Sequence, residues 1–215
     1  VNKIPLTGKI GELTQGLSGT QAIAIGAGVA AGGALIGIGG AAVSAATDID
    51  SAMNQLQAST GITADQTERY RGVLEDIYKN GYGESFGDIG DALSQIRQQI
   101  GPVVDAWDPS ALQSFTESAI SLRDTFGYDI TESVRAANTM MDQFCIDGEE
   151  AMDLIASGAQ NGLDYSGELI DSINEYSVQF QKMGLDAYDM FAIFEAGSES
   201  GAFNLDKIGD AIKEM

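Results

Sequence analysis

Residues 169–197, LIDSINEYSVQFQKMGLDAYDMFAIFEAG, carry two apolar stripes separated by a three-residue break. Leu169, Ile173, Tyr176, Phe180 and Met183 recur at spacings of three and four, which puts them on one face of a helix, and Ala187, Met190 and Phe194 do so again. The break, Gly184-Leu185-Asp186, predicts a stop and a restart. Glycine takes the left-handed conformation that ends a helix, leucine packs back, and the aspartate caps the free N–H groups of the next helix.

Outward from this stretch the same device recurs at Gly61-Ile62-Thr63, Gly127-Tyr128-Asp129 and Cys145-Ile146-Asp147. Gln66, Glu132 and Glu150 stand three residues after their caps, where a capping box places them. Helical stripes run through Tyr70, Leu74 and Ile77, through Ile89, Leu93, Ile96 and Ile100, and through Leu112, Phe115, Ala119, Leu122 and Phe126. Ile130, Val134, Ala137, Met141 and Phe144 continue the pattern, followed by Met152, Ile155 and Ala159, and at the end by Ile208, Ile212 and Met215. Gly101-Pro102 predicts the close of one helix and Asp108-Pro109 the start of another. No period-two run of β-branched residues competes, so the expected class is all-α: a multi-helix bundle or a short helical-repeat array, with a long N-terminal Gly/Ala-rich apolar helix. FCIDGEEAMDLIASG (144–158) lies without gaps on MGLDAYDMFAIFEAG (183–197), an offset of 39 residues that also pairs Gly162 with Gly201 and Ile173 with Ile212. Two helical hairpins of one type are expected there.

Upstream, no charged side chain occurs between Glu12 and Asp48, and AIAIGAGVAAGGALIGIGGAAVSAA (22–46) is almost wholly Gly, Ala, Ile, Val and Leu. As one helix its roughly 25 residues run about 38 Å, enough to cross a bilayer core. Gly28 with Gly32 and Gly33 with Gly37 are the candidate membrane or helix-packing glycines. Three readings stand open: a helix that meets a membrane, a packing seam in a homo-oligomer, and an intramolecular core helix. Lys3 and Lys9 before the segment, with Asp48 and Asp50 after it, would leave the N-terminal side of a spanning helix cytoplasmic. The expected layout is an N-terminal helical or linker segment (1–21), the apolar helix (22–47) and an acidic helical domain (48–215).

Eleven Lys and Arg against 32 Asp and Glu give a formal charge of −21. A polyanion is repelled by such a surface, and no specific nucleic-acid binding is expected. Between Ala136 and Gln181 nine carboxylates stand with no basic residue, which predicts a solvated acidic face. The chain has no histidine, which removes Ser-His-Asp and Cys-His sites, and its one cysteine cannot form an internal disulfide. Glu149 with Asp153 and Asp171 with Glu175 lie at helical spacing suited to a shared proton or a metal, but no His, calcium-loop motif or Glu-x-x-His pair accompanies them. The glycine run lacks the Gly-Lys-Ser/Thr ending of a phosphate loop. Cys145 is expected to fill a buried helix joint rather than act as a nucleophile, and Met140, Met141, Met152, Met183 and Met190 to fill core gaps. No catalytic residue, metal or cofactor is expected.

KIGELTQGLSG (9–19), the Gly/Ala-rich segment, ATDIDSAMNQLQASTGITADQTERYRGVLEDI (46–77) and then helices joined by Phe-Gly or Gly-aliphatic-Asp elements follow one another in an order that resembles the conserved N-terminal region of phage tail tape measure proteins. The portion DIDSAMNQLQASTGIT (48–63) carries most of the likeness. The sequence departs from the family's usual pattern at Ile49, where a Phe is usual before the acidic residue, and at Cys145, where the other joints hold glycine. The resemblance implies a noncatalytic virion protein in the tail lumen, assembled in the host cytoplasm. Its helical length would set tail length, and it would help the genome cross the host envelope. It also implies self-association, with tail tube and tail assembly chaperone proteins as partners and a host membrane at delivery. Wholly helical, the chain reaches only about 320 Å, and IKEM stops inside an apolar stripe, so a fragment or processed piece is expected. The alternative is a membrane-permeabilising, pore-forming or holin-like protein whose acidic helices shield the apolar segment until insertion.

Overall fold

The computed structural model describes residues 41–214, with side chains from Ala46 onward. Among the described residues there are nine α-helices and no strand: α1 (Ala41–Thr60), α2 (Ala64–Lys79), α3 (Phe86–Ile100), α4 (Pro109–Phe126), α5 (Ile130–Phe144), α6 (Gly148–Gln160), α7 (Leu169–Lys182), α8 (Ala187–Glu199) and α9 (Leu205–Lys213). A 3₁₀ turn, Pro102–Ala106, lies between α3 and α4. The all-α expectation holds. Residues 22–40 of the apolar segment lie outside the described residues, as do Gly28, Gly32, Gly33 and Gly37, and with them the expected long N-terminal helix. Among the described residues no helix is long and apolar enough to cross a membrane.

Two compact units divide within α4, between Ser121 and Leu122. In the first, α1 and α3 pack closely because small residues face each other. A Cβ on Gly90 would stand 3.3 Å from the Ala52 Cβ, and Ser59 Oγ donates to Ser94 Oγ at 3.0 Å. α2 closes over this pair with Tyr70, Val73, Leu74 and Ile77, all buried. Met53, Leu56, Ile89, Leu93 and Ile96 complete that core, each worth roughly 1.5–3 kcal/mol of burial.

The second unit repeats the plan, as α5 and α7 pack closely and α6 closes over them. Ser133, Ala136, Ala137, Ser172 and Ser177 are the buried small residues that permit the approach, and Thr139 Oγ1 donates to Asn174 at 3.1 Å. α7 then serves as the first helix of a further set, with α8 and α9. Phe180 of α7 meets Phe194 of α8 edge to face, ring centroids 5.5 Å apart.

The three sets share the turn between their second and third helices bond for bond. After α2, α6 and α8 the chain passes through Gly81, Gly162 and Gly201, all at positive φ. In each, the glycine N–H bonds three residues back, to Tyr78, Ala159 or Ser198, and the next N–H bonds five back, to Ile77, Gly158 or Gly197. That paired closure is the Schellman helix end. The third helices then carry similar stretches, Ile89-Gly90-Asp91-Ala92-Leu93, Leu169-Ile170-Asp171-Ser172-Ile173 and Ile208-Gly209-Asp210-Ala211-Ile212, although α3 and α9 begin three residues earlier behind the caps Ser85 and Asn204 while α7 begins at Leu169. The repeat seen at an offset of 39 is therefore structural, and α1–α3 is a third copy that sequence alignment by itself did not reveal.

Several local expectations are corrected. The α5 stripe was placed through Met141 and Phe144, which are half-buried, while Met140 is the fully buried one. Met183 is 42% exposed rather than core, because it lies past the last residue of α7 where the chain turns away. Ile208 and Ile212 are half-buried, with Leu205 and Gly209 taking the inner positions. Reciprocal capping boxes form at Thr63–Gln66 and at Asp186–Asp189. Asp129 and Asp147 cap one way only. Their expected partners are engaged elsewhere: Glu132 pairs with Arg135, and Glu150 accepts from Tyr188 Oη at 2.7 Å.

Candidate functional site

Three polar clusters have geometry specific enough to ask what they do. The first ties the 3₁₀ turn to α2 and α3. Asp105 Oδ1 accepts from Tyr70 Oη at 2.8 Å and from Arg97 Nε at 2.9 Å, while Arg69 donates to the backbone carbonyls of Asp105 and Trp107. Arg97 and Asp105 side chains are only 15% and 12% exposed. Burial first, then the bond to Asp105, pushes the Tyr70 phenol above its ordinary range. Each of these side chains is bonded to another member of the cluster or to the turn's backbone, so the cluster is a clamp.

The second cluster lies on the first turns of α6. Asp147 caps the helix through the Glu150 N–H at 2.9 Å, and Asp153 sits half-buried on the same helix as Glu149. Partial burial, with Glu149 and Asp147 adding like charge, lifts the Asp153 carboxyl from 3.8 to about 6. Asp153 thus departs from the solvated face expected of it. Its folded value lies above its unfolded one, so its stabilising contribution is complete below about pH 3.8 and is lost as the pH rises through about 6. Asp153→Asn is expected to raise stability at about pH 7.5 by roughly 1 kcal/mol, a figure reduced for solvent screening, and to change nothing below about pH 4. Urea midpoints of the two proteins at both pH values check this; a gap that persists in acid would contradict it.

The other acidic pair does not converge. Asp171 lies 4.0 Å from Arg135 and Glu175 accepts from Lys213 Nζ at 3.3 Å, contacts that exposed carboxylates make at little gain. The third cluster joins α7 to α9: Tyr176 Oη donates to Asp206 Oδ1 at 2.6 Å and stands 3.2 Å from Asp210 Oδ1. Burial and those two bonds raise the phenol well above its usual value. Cys145 stands at its helix joint as expected, with φ 56 in the left-handed region, but is exposed rather than buried. The residue past the helix end turns its side chain outward, leaving Ile146 half-covered behind it.

Among the described residues no group of three His, Cys, Asp or Glu side chains is placed to hold a metal. What sequence reasoning missed was the Asp105 clamp and the Tyr176 pair. Both join residues 30 to 35 positions apart, and no local motif announces such a pairing. The described clusters hold helices and turns together within each unit.

Residues 78–215 match the model of the family described as phage-related minor tail protein. Over 71 residues the chain is 34% identical to a probable tape measure protein of Streptomyces phage phiC31, a match covering 33% of this chain and 10% of that protein. No solved structure matches the chain.

Proposed function

The chain belongs to the phage-related minor tail protein family, a component of the phage tail and so of the virion, and from that premise we propose that it is a segment of a tape measure protein. Its work is geometric. A chain running along the tail lumen as helix advances about 1.5 Å per residue, and the total fixes the length at which tail growth stops. The observation that carries the reading is the likeness to the phiC31 protein, joined to a fold made of one helical hairpin repeated. Self-association, contact with tail tube and tail assembly chaperone proteins, and help to the genome at the host envelope belong to the same proposal. Strong negative charge would keep the helices from adhering to DNA held in the same lumen.

Deletion of one repeat, residues 144–182, from the complete protein in an infective phage is the test. Tails about 60 Å shorter by electron microscopy are expected if this segment runs as extended helix at the moment of measurement. Tails of unchanged length would overturn the length-setting role for this segment.

A further inference from the structure

We propose that one end of the second unit is a docking surface for a basic protein segment carrying an apolar anchor. Two loops meet there, 161–168 after α6 and 200–204 after α8. They are strapped together twice, by Tyr165 Oη donating to the Ala202 carbonyl at 3.2 Å and by Asn204 Nδ2 donating to Glu168 Oε1 at 3.1 Å. The first strap sets Tyr165 beside the residue that precedes Phe203. Phe203 is 87% exposed and Tyr165 46%. Five large hydrophobic side chains are exposed among the described residues, and Phe203 is by far the most solvated of them. An aromatic ring held in water on a strapped loop contributes nothing to the core and is the kind of side chain that anchors an interface.

The frame of this patch states the partner's charge. Asp164, Glu168 and Asp206 flank the two aromatics in sequence, and each is oriented by a neutral donor: the Leu169 N–H on Asp164, Asn204 and Ser166 on Glu168, and Tyr176 on Asp206. Among the described residues none of the three takes part in an ion pair, and the neighbouring cation, Lys207, turns to Asp210 at 3.4 Å. From Leu122 onward there are 19 Asp and Glu against 5 Lys and Arg, a difference of −14. A second copy presenting this same acidic unit to the patch would be repelled there, so self-association uses another surface. A segment with Lys or Arg around one or two apolar side chains meets fixed carboxylates and an anchor together.

The test uses the whole chain and a labelled amphipathic peptide of leucine and lysine, followed by fluorescence anisotropy at about 50 and 500 mM salt. Saturable binding is expected, weakened by salt, and at least about tenfold weaker in Phe203→Ser. Because Phe203 projects into solvent, that variant keeps its fold, which circular dichroism verifies. Met183→Ser, at an exposed side chain on another joint, is expected to bind as the unaltered chain does. Equal binding by Phe203→Ser would reduce the effect to general attraction toward an acidic protein and overturn the proposal. Equal binding of a leucine and glutamine peptide, absence of binding, or self-association lost on Phe203→Ser would each overturn it too.

Discussion

Asp105→Ala is expected to lower the stability of the first unit by about 3–5 kcal/mol, the range for removing one partner of a buried ion pair. The loss strands two groups at once. Arg97 keeps a guanidinium in a site only 15% exposed, and Tyr70, with none of its surface exposed, keeps a hydroxyl without its acceptor. The turn that carries Asp105 also presents the carbonyls held by Arg69, so the segment from α3 to α4 loosens as the clamp opens. Trp107, the chain's sole tryptophan, follows that turn and meets Phe115 edge to face at 5.3 Å, which makes its fluorescence a reporter of this unit. A loss of less than about 1 kcal/mol in urea unfolding free energy would mean that water replaces the carboxylate without penalty. Asp105→Asn, which retains an acceptor for Tyr70 but no charge for Arg97, is expected to fall between.

Gly209→Ala should be the most damaging single-carbon change in the second unit, at about 3 kcal/mol. In an open helix the same substitution gains about 1 kcal/mol of helix propensity, so the sign depends on what surrounds the new methyl. Here a Cβ would fall 2.2 Å from both Cδ2 and Cε2 of Tyr176. The ring cannot step aside cheaply, because its hydroxyl is bonded to Asp206 and Asp210 on the helix that carries the glycine. Gly197→Ala is the informative comparison. There the new carbon would meet the Ile208 side chain, 2.5 Å from its terminal Cδ1 and 2.8 Å from Cγ1, but no hydrogen bond anchors that half-buried side chain, so it can turn away where the tyrosine cannot. Its expected cost is about 1–2 kcal/mol, below that of Gly209→Ala. Amide hydrogen exchange along α7 and α9 distinguishes the two, since only the first should lose protection there. Equal exchange in both variants would refute the packing argument.

Helix positions were legible because their signals are local. Thr63, Asp129, Asp147 and Asp186 each cap the helix that follows through a side-chain oxygen and the N–H three residues on. Burial at Tyr70, Leu74, Ile77, Leu169, Ile173, Tyr176 and Phe180 follows directly from their spacing. The 3₁₀ turn was not legible, since five residues beginning at Pro102 are too few to show a period. Nor was the choice of Met140 over Met141: adjacent methionines both suit a stripe, and the rotation of α5 against α7 selects one.

By itself the sequence determined the class, the places where helices start and stop, the absence of histidine chemistry and the large negative charge, because each depends on a residue and its nearest neighbours along the chain. Only tertiary structure decided that Asp105 reaches Tyr70 and Arg97, that Gly209 leaves room for Tyr176, that Asp153 is partly withdrawn from water, and that Phe203 is left in it. Those outcomes depend on distances across helices, where packing and desolvation act between residues that the chain order keeps far apart.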